Sequence, residues 1–572
     1  MTADALTGWT GFLRAELKVD RARWIRMASM TLCATLLATG FLIFRVPLAA
    51  YGTYVAVMAY QRDRATSITM SIGALASAVA AIAFCILLYL GDVDEPALRV
   101  PAMALIMFGA MYFSRAARVG PVLFLTGYIL VVTQTLVDQI PDSEALTHLL
   151  LWLALIVFCA CTLVPLVQSI TGRKPSALLA DGLKERMPRA AATASSMTRS
   201  VPTISIRELA TQAARLGPQA VRSLAAVLQL EQIAAIRMDG EKILLGWAEI
   251  DVTRQLDHPE QDDVGTALPP LVNKPAQIQS MRFAFKATLA AMFCYILYSA
   301  LDWNGIRTSI ITCFFVALSS TGETVHKLSL RLSGALIGGA LAGLSIVFVF
   351  PVIDDIGGFI VLFASVTLLC VWVATASPLI AYAGLQMTFA FYLGVLQDAG
   401  PTDDLTVLRD RLVGIVLGNV AMSLIFSTLW PVSTLASAKA VMARVAQRQA
   451  RLLQVGRPVA AVDIVATATD LEEASRLAAL ASFDLGLTPD RRANRPALVM
   501  PLSRVVAWSN VWLRHADRTV PAPHAVSRLQ AMAQQLEGQA DATRQLTAID
   551  PSTPEPLKSA IDALEQEMAH AH

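Results

Sequence analysis

The chain has 572 residues, of which 55% are apolar and only 16% charged, with a formal net charge of +2. An ordinary soluble domain carries about a quarter charged residues, so this composition reads as a membrane protein. No basic block with interleaved aromatics occurs, and nucleic acid is not an expected partner.

The apolar excess is segmental. Runs such as Ile68–Leu90, Leu146–Ile170, Leu328–Phe350 and Leu412–Trp430 hold few or no charges. Stretches of about 20 such residues match a hydrocarbon core roughly 30 Å thick. All seven cysteines fall inside apolar runs, which predicts buried thiols and no disulfide scaffold.

A basic run ending in Arg21, Arg23 and Arg26 precedes Met27–Phe44. No small-residue cleavage site follows, so this is predicted to be an uncleaved first helix. Helices are predicted over 27–44, 48–60, 67–90, 100–114, 120–137 and 147–170. A second set follows over 282–300, 305–320, 328–350, 357–375, 379–397 and 411–430. Each set places a very short apolar stretch second, and paired short or broken helices point to a transport path.

Charge sets the expected orientation. The basic N-terminal run, Arg62/Arg64, Arg115/Arg118 and Arg173/Lys174 fall on one side, with Asp92, Asp94, Glu95, Asp138, Asp142, Glu144, Asp354 and Asp355 opposite. Asp398, Asp403 and Asp404 join that acidic side. Both termini are therefore expected in the cytoplasm. Six spans is an even number, so both halves enter from the same side and a repeat must be parallel. "GALASAVAAIAF" from Gly73 and "GALIGGALAGLS" from Gly334 open the third helix of each half.

Between the halves, Ile204–Arg237 and Glu241–Leu256 have amphipathic helical patterns, and an acidic, proline-rich linker spans Asp257 to Pro275. The tail from about Ala436 has helical periodicity broken near Pro489, Pro521 and Pro523. The expected division is a first transmembrane half over 1–171, a cytoplasmic insert over 172–280, a second transmembrane half over 281–435 and a cytoplasmic helical domain over 436–572. The fold class is an all-α polytopic membrane protein with two tandem parallel six-helix repeats, each followed by a helical cytoplasmic region.

The strongest local constellation is "STGETVHKLSLRLSGALIGG". Glu323, Lys327 and Arg331 recur every four residues and share a helix face, with Glu preceding Lys in the favourable order. Gly334, Gly338/Gly339 and Gly343 form small-residue steps that admit a neighbouring helix. An Arg inside a span costs roughly 2.5–3.5 kcal/mol on insertion scales, so Arg331 should face protein or water. A cytoplasmic anchor that snorkels to headgroups is the alternative. In the first half Met70 stands at the position of Arg331, which assigns substrate to the second half. Glu323 and Asp63 are the candidate proton carriers, because removal from water favours a protonated carboxylate.

Arg411, after Arg409-Asp410, breaks the charge rule and shares a face with Gly414, Gly418 and Met422. Trp303 and Arg307 precede the short eighth helix, and Gln386 is a polar group in the eleventh span. The predicted substrate-binding set is Lys327, Arg331, Arg411, Gln386, Trp303 and Arg307. No phosphate-binding loop, zinc spacing, nucleophile elbow or paired catalytic carboxylates appear, so neither an enzyme nor a cofactor is expected.

Taken with the layout, K-x-x-x-R-x-x-G-x-x-x-G (Lys327, Arg331, Gly334, Gly338), R-x-x-G-x-x-x-G (Arg411, Gly414, Gly418) and Trp303 make the chain similar to the fusaric acid resistance / aromatic acid exporter family. The resemblance implies a bacterial inner-membrane efflux protein for organic, often aromatic, carboxylic acids, working with a periplasmic adaptor. Proton-coupled export is the leading expectation, and a passive organic-anion channel is the alternative. The expected partners are organic anions and the lipid bilayer, with self-association into a homo-oligomer left open.

Overall fold

The computed structural model describes residues 19–89, 95–117, 119–138, 140, 142–191, 204–236, 277–316, 321–377, 379–397, 400–401, 405–455, 459–483, 498–515, 523–537 and 555–570. The turn residues Asp92, Asp94, Arg118, Asp398, Asp403 and Asp404, the Glu241–Leu256 stretch and the 257–275 linker lie outside the described residues.

The described chain is almost wholly helical. Its first six helices are α1 (Arg21–Ile43), α2 (Ala49–Ala59), α3 (Arg64–Tyr89), α4 (Pro96–Ala116), α5 (Gly120–Gln134) and α6 (Ser143–Thr171). Then come α7 (Pro175–Ala191), α8 (Ile206–Leu216) and α9 (Pro218–Ile236). The next apolar set is α10 (Gln277–Ala300), α11 (Thr308–Val316), α12 (Thr321–Leu344), α13 (Ile356–Ala374), α14 (Ala381–Val395) and α15 (Leu405–Thr428). A two-residue hairpin, Leu396–Gln397 with Gly400–Pro401, joins α14 to α15. The last five are α16 (Thr434–Val455), α17 (Ala461–Leu480), α18 (Val499–His515), α19 (Pro523–Leu536) and α20 (Glu555–His570).

Eight of the described helices are long and apolar enough to cross a membrane. The chain is thus an all-α polytopic membrane protein. α2 has 11 residues. At 1.5 Å per residue it reaches roughly 17 Å, about half the hydrocarbon thickness. α11 is preceded by a tight 3₁₀ turn, Asn304–Arg307, so its start departs from α geometry. α12 ends in a π turn over Ser345–Val349.

The chain divides into two compact units. The first comprises residues 1–174, 274–319 and 324–431, and the second comprises 175–273, 320–323 and 432–572. Within the first unit the same pairings recur in the two sets of six. α1 packs on α2 and α6 as α10 packs on α11 and α15; α2 packs on α6 as α11 packs on α15; α4 packs on α5 as α13 packs on α14. Pairings across the sets come in reciprocal form: α1 meets α13 while α10 meets α4, and α2 meets α14 while α11 meets α5.

Small residues set the close crossings. A Cβ on Gly338 would strike the Met387 backbone of α14, and one on Gly334 would strike the Ala383 carbonyl. A Cβ on Gly418 would fall 2.6 Å from the Ser309 carbonyl oxygen of α11. Without a hydrophobic force between helices in lipid, such van der Waals fit is what holds them together. Outward faces carry exposed Ile72, Val79 and Leu87 on α3, and Val420 and Leu424 on α15. Lipid tails suit such a surface.

In the second unit, α16, α18, α19 and α20 enclose a core of Val445, Leu453, Leu502, Val505, Leu529 and Ile561. A smaller core joins α8 and α9 to α17 through Leu209, Leu224 and Val465. Arg528 ties α19 to α20 through Asp562 at 2.8 Å and through Glu565.

The glycine contacts separate two substitutions of identical chemistry. Gly338→Ala meets backbone that cannot yield and is expected to cost about 1–3 kcal/mol, as overpacking does. Gly339→Ala meets only the tips of Leu412 and Leu408, at 3.4 and 3.5 Å, and should be tolerated. Unfolding midpoints of the purified protein in one detergent check this, with only Gly338→Ala expected to fall.

Candidate functional site

α12 carries Arg331 nearly three turns from its start, and the side chain is 1% exposed. Its donors can be followed one by one. Nε donates to Thr312 Oγ1 of α11 at 3.3 Å. Nη1 donates to Gln386 Oε1 at 2.8 Å and to the Tyr382 hydroxyl at 3.3 Å, both on α14. Nη2 is buried and has no hydrogen-bond partner. A guanidinium has five N–H donors and no acceptor. Three are therefore engaged by neutral groups, and both hydrogens on Nη2 are left over. None of its three partners is acidic, so the positive charge is solvated by dipoles and not neutralised.

The helix crossings explain why these groups meet. Gly334 and Gly338 bring α12 onto α14 at the level of Gln386 and Met387. Gly414 and Gly418 bring α15 onto Ile306, Thr308, Ser309 and Thr312 around the start of α11. The two glycine motifs thus act as spacers that deliver Arg331 to its donors and acceptors. Thr312 has no hydrogen left to donate to an anion, since its hydroxyl already donates to the Thr308 carbonyl at 2.9 Å.

Tyrosines from the first half of the unit complete the surroundings. Tyr54 of α2 lies in the field of Arg331 and Tyr382. Its ring packs on Phe389 with centroids 4.4 Å apart. Tyr51 lies in the field of Arg411 and Arg307. Tyr128 of α5 lies near Arg331, Arg307, Tyr51 and Tyr54, and its ring meets Phe315 edge-on at 4.9 Å. Each of these three tyrosines is half-buried and keeps some accessible surface.

The predicted residues therefore separate into groups. Arg331 and Gln386 are in direct contact. Lys327 stacks its ammonium 4.9 Å from the Tyr382 ring centroid, on the ring whose hydroxyl meets Arg331. Arg411 and Arg307 gather around Tyr51, and Arg411 Nε is buried with no partner. Trp303 receives the Arg409 guanidinium at 5.9 Å, and Arg409 pairs with Asp410 at 2.8 Å.

The two predicted proton carriers have structural roles elsewhere. Asp63 accepts from the Thr66 amide at 2.9 Å, capping α3, and its backbone bridges to Arg173. Glu323 belongs to the second unit, where it pairs with Arg476 at 2.6 Å. Arg476 also holds Glu473 at 2.8 Å. Sequence reading missed Tyr54, Tyr382, Thr312, Tyr51 and Tyr128. Tyr382 sits four residues before Gln386, one helical turn away, and this spacing was the available signal.

No family model matches the chain, and no solved structure matches it. Several relatives share the name Multidrug resistance protein MdtO. The chain is 40% identical to that of Escherichia coli strain K12 over 154 residues, 27% of this chain and 22% of that protein. It is 37% identical to that of E. coli O157:H7 over 181 residues, 30% of this chain and 26% of that protein. It is 40% identical to that of Shigella flexneri over 154 residues, 27% of this chain and 23% of that protein. The chain thus spans about a quarter of the length of the curated relatives it matches.

The Glu323–Arg476–Glu473 group has a pH signature. Burial pushes the Glu473 carboxyl up, but the hydrogen bond and charge of Arg476 outweigh this and leave it below its ordinary 4.5. A carboxyl lowered on folding stabilises the fold above its unfolded value, and the gain is lost as pH falls through the folded value. Arg476→Met should therefore lower the unfolding midpoint at about pH 7, and its gap from the unaltered protein should shrink below about pH 4.5. Thermal unfolding at both pH values measures this.

Proposed function

We propose that the protein is a bacterial inner-membrane secondary transporter that exports organic, often aromatic, carboxylic acids as anions, with protons moving inward. Arg331 Nη2 carries this reading: a buried cation with no acidic partner and two unused N–H groups is the counterpart of a carboxylate. Lys327 attracts the anion from the cytoplasmic side, Gln386 orients it, and Arg307 and Arg411 receive it toward the exit, where Trp303 and Arg409 flank the path. The short α2 and α11 form the gate, since backbone that ends at depth is tolerated where it lines a wet space. The similarity to proteins named for multidrug resistance supports efflux as the direction. In this reading both termini are cytoplasmic, the halves are parallel repeats, and a periplasmic adaptor takes the substrate onward.

A passive organic-anion channel is the second reading. One observation favours it: Asp63 and Glu323 each have a partner outside the Arg331 cluster. An anion leaving an inside-negative cell is moreover driven outward by about 2.3 kcal/mol per 100 mV without any proton.

Reconstituted vesicles separate these readings. Radiolabelled benzoate flux should exceed that of protein-free vesicles, and Arg331→Ala should reduce it about tenfold or more, as loss of a charged hydrogen bond does. Uphill benzoate movement driven by a pH gradient at clamped zero potential supports the exporter. Flux that follows only voltage and the benzoate gradient supports the channel. Unaltered flux in a well-folded Arg331→Ala protein removes Arg331 from the mechanism.

A further inference from the structure

A second group of cations gathers where α10 begins and α4 and α15 end. Arg282 and Lys286 lie one turn apart on α10, so they share a helix face. Lys286 is 5% exposed. Its Nζ donates to the Trp430 carbonyl at 2.8 Å, just past α15, and lies 5.1 Å from the Phe426 ring centroid. The Arg282 guanidinium lies over the Trp430 ring at 5.6 Å. Arg115, in the last turn of α4, lies over Phe283 at 4.5 Å, and that ring meets Phe426 edge-on at 6.1 Å. Lys286 is in the field of both arginines.

Like charges one turn apart repel, and ring faces offset only part of that cost. Among the described residues, no carboxylate pairs with Lys286 or Arg282. Lys286 gives one hydrogen to Trp430. Arg282 is exposed and donates to no described group, so its five N–H donors are open. The surface beside it is apolar, with Ile278, Met281, Phe285 and Trp430 all exposed. A small free anion would leave that surface bare. Tryptophan characteristically sits at headgroup level, where one side is wet and the other is hydrocarbon.

We propose that the start of α10 binds an anionic phospholipid, with the phosphate on Arg282 and the acyl chains along Phe285 and Trp430. Lys286 and Arg115 add their field from behind. Basic pockets between helices recognise anionic headgroups in this way. The bound phosphate supplies the negative charge that the three cations lack, at a point where α10 packs on both α4 and α15. The site is independent of the reading of Arg331.

Native mass spectrometry of the full-length protein in detergent tests this by titration with dioleoylphosphatidylglycerol or with dioleoylphosphatidylcholine. The two lipids have the same tails, and only the first has a net charge. The glycerol lipid should bind about fivefold or more tightly than the choline lipid. Arg282→Gln should weaken the glycerol lipid about fivefold, one cation's share near a charged surface, and leave the choline lipid within about twofold. Arg282→Lys keeps the charge and should keep the preference. Inorganic phosphate at millimolar concentration should leave the glycerol lipid bound. Equal binding of the two lipids overturns the proposal, and so does an unchanged preference in Arg282→Gln. Both lipids weakened together in Arg282→Gln also overturn it, since that is a general loss of packing. Displacement by inorganic phosphate makes this a free-anion site and overturns the lipid.

Discussion

A guanidinium held almost wholly out of water inside an apolar bundle is the constraint around which this protein is organised. Membrane insertion makes a charge expensive, and an Arg at depth must find protein dipoles, water or a counter-ion. Arg331 has three dipoles, from Thr312, Tyr382 and Gln386, and no carboxylate among them. A structural arginine in a bundle would be expected to carry an acid partner, as Arg99 does with Asp138. The contrast within one unit is informative. Arg99 is neutralised by Asp138, and Tyr295 of α10 adds a 3.1 Å bond to the same carboxylate. Arg331 is left charged, with one nitrogen idle.

That cation is kept in place by groups that have no charge at all. The glycines of α12 let α14 approach closely enough for Gln386 and Tyr382 to reach Arg331, and the glycines of α15 let α11 present Thr312. The charged residue and the glycine residues of each motif are thus one device. Remove the spacing and the dipoles recede, and the charge loses its solvation. This links the local pattern R-x-x-G-x-x-x-G to helix packing, and packing to electrostatics.

Much of the architecture was legible because the bilayer imposes lengths. Twelve predicted elements correspond in order to twelve described helices, and the shortest predicted one in each half is α2 and α11 respectively. Arg331 was visible as a charge inside an apolar run, and Gln386 as a polar residue in a span. Tyr54 and Tyr382 were not, because a tyrosine in a membrane segment is unremarkable until its neighbours are known. Asp63 was read as a proton carrier, although an Asp immediately before a helix, with the Thr66 amide three residues on, also fits an N-cap. The partner of Glu323 lies 153 residues away on α17, and no helical periodicity could have supplied it. Local rules reach about one turn along a helix, and these contacts lie beyond that range.

The two halves pair their helices alike but are loaded unequally. The second half contributes the cations Arg307, Arg331 and Arg411, whereas the first contributes Tyr51, Tyr54 and Tyr128, and Met70, matched to Arg331 by sequence, is 46% exposed on α3. A second buried cation facing Arg331 would repel it strongly in so dry an interior. Neutral donors avoid that cost and still offer hydrogen to an anion. The inequality therefore has an electrostatic reason: two equal, uncompensated charges cannot cheaply share one dry interior, and hydroxyls from the first half set beside a cation from the second avoid that conflict.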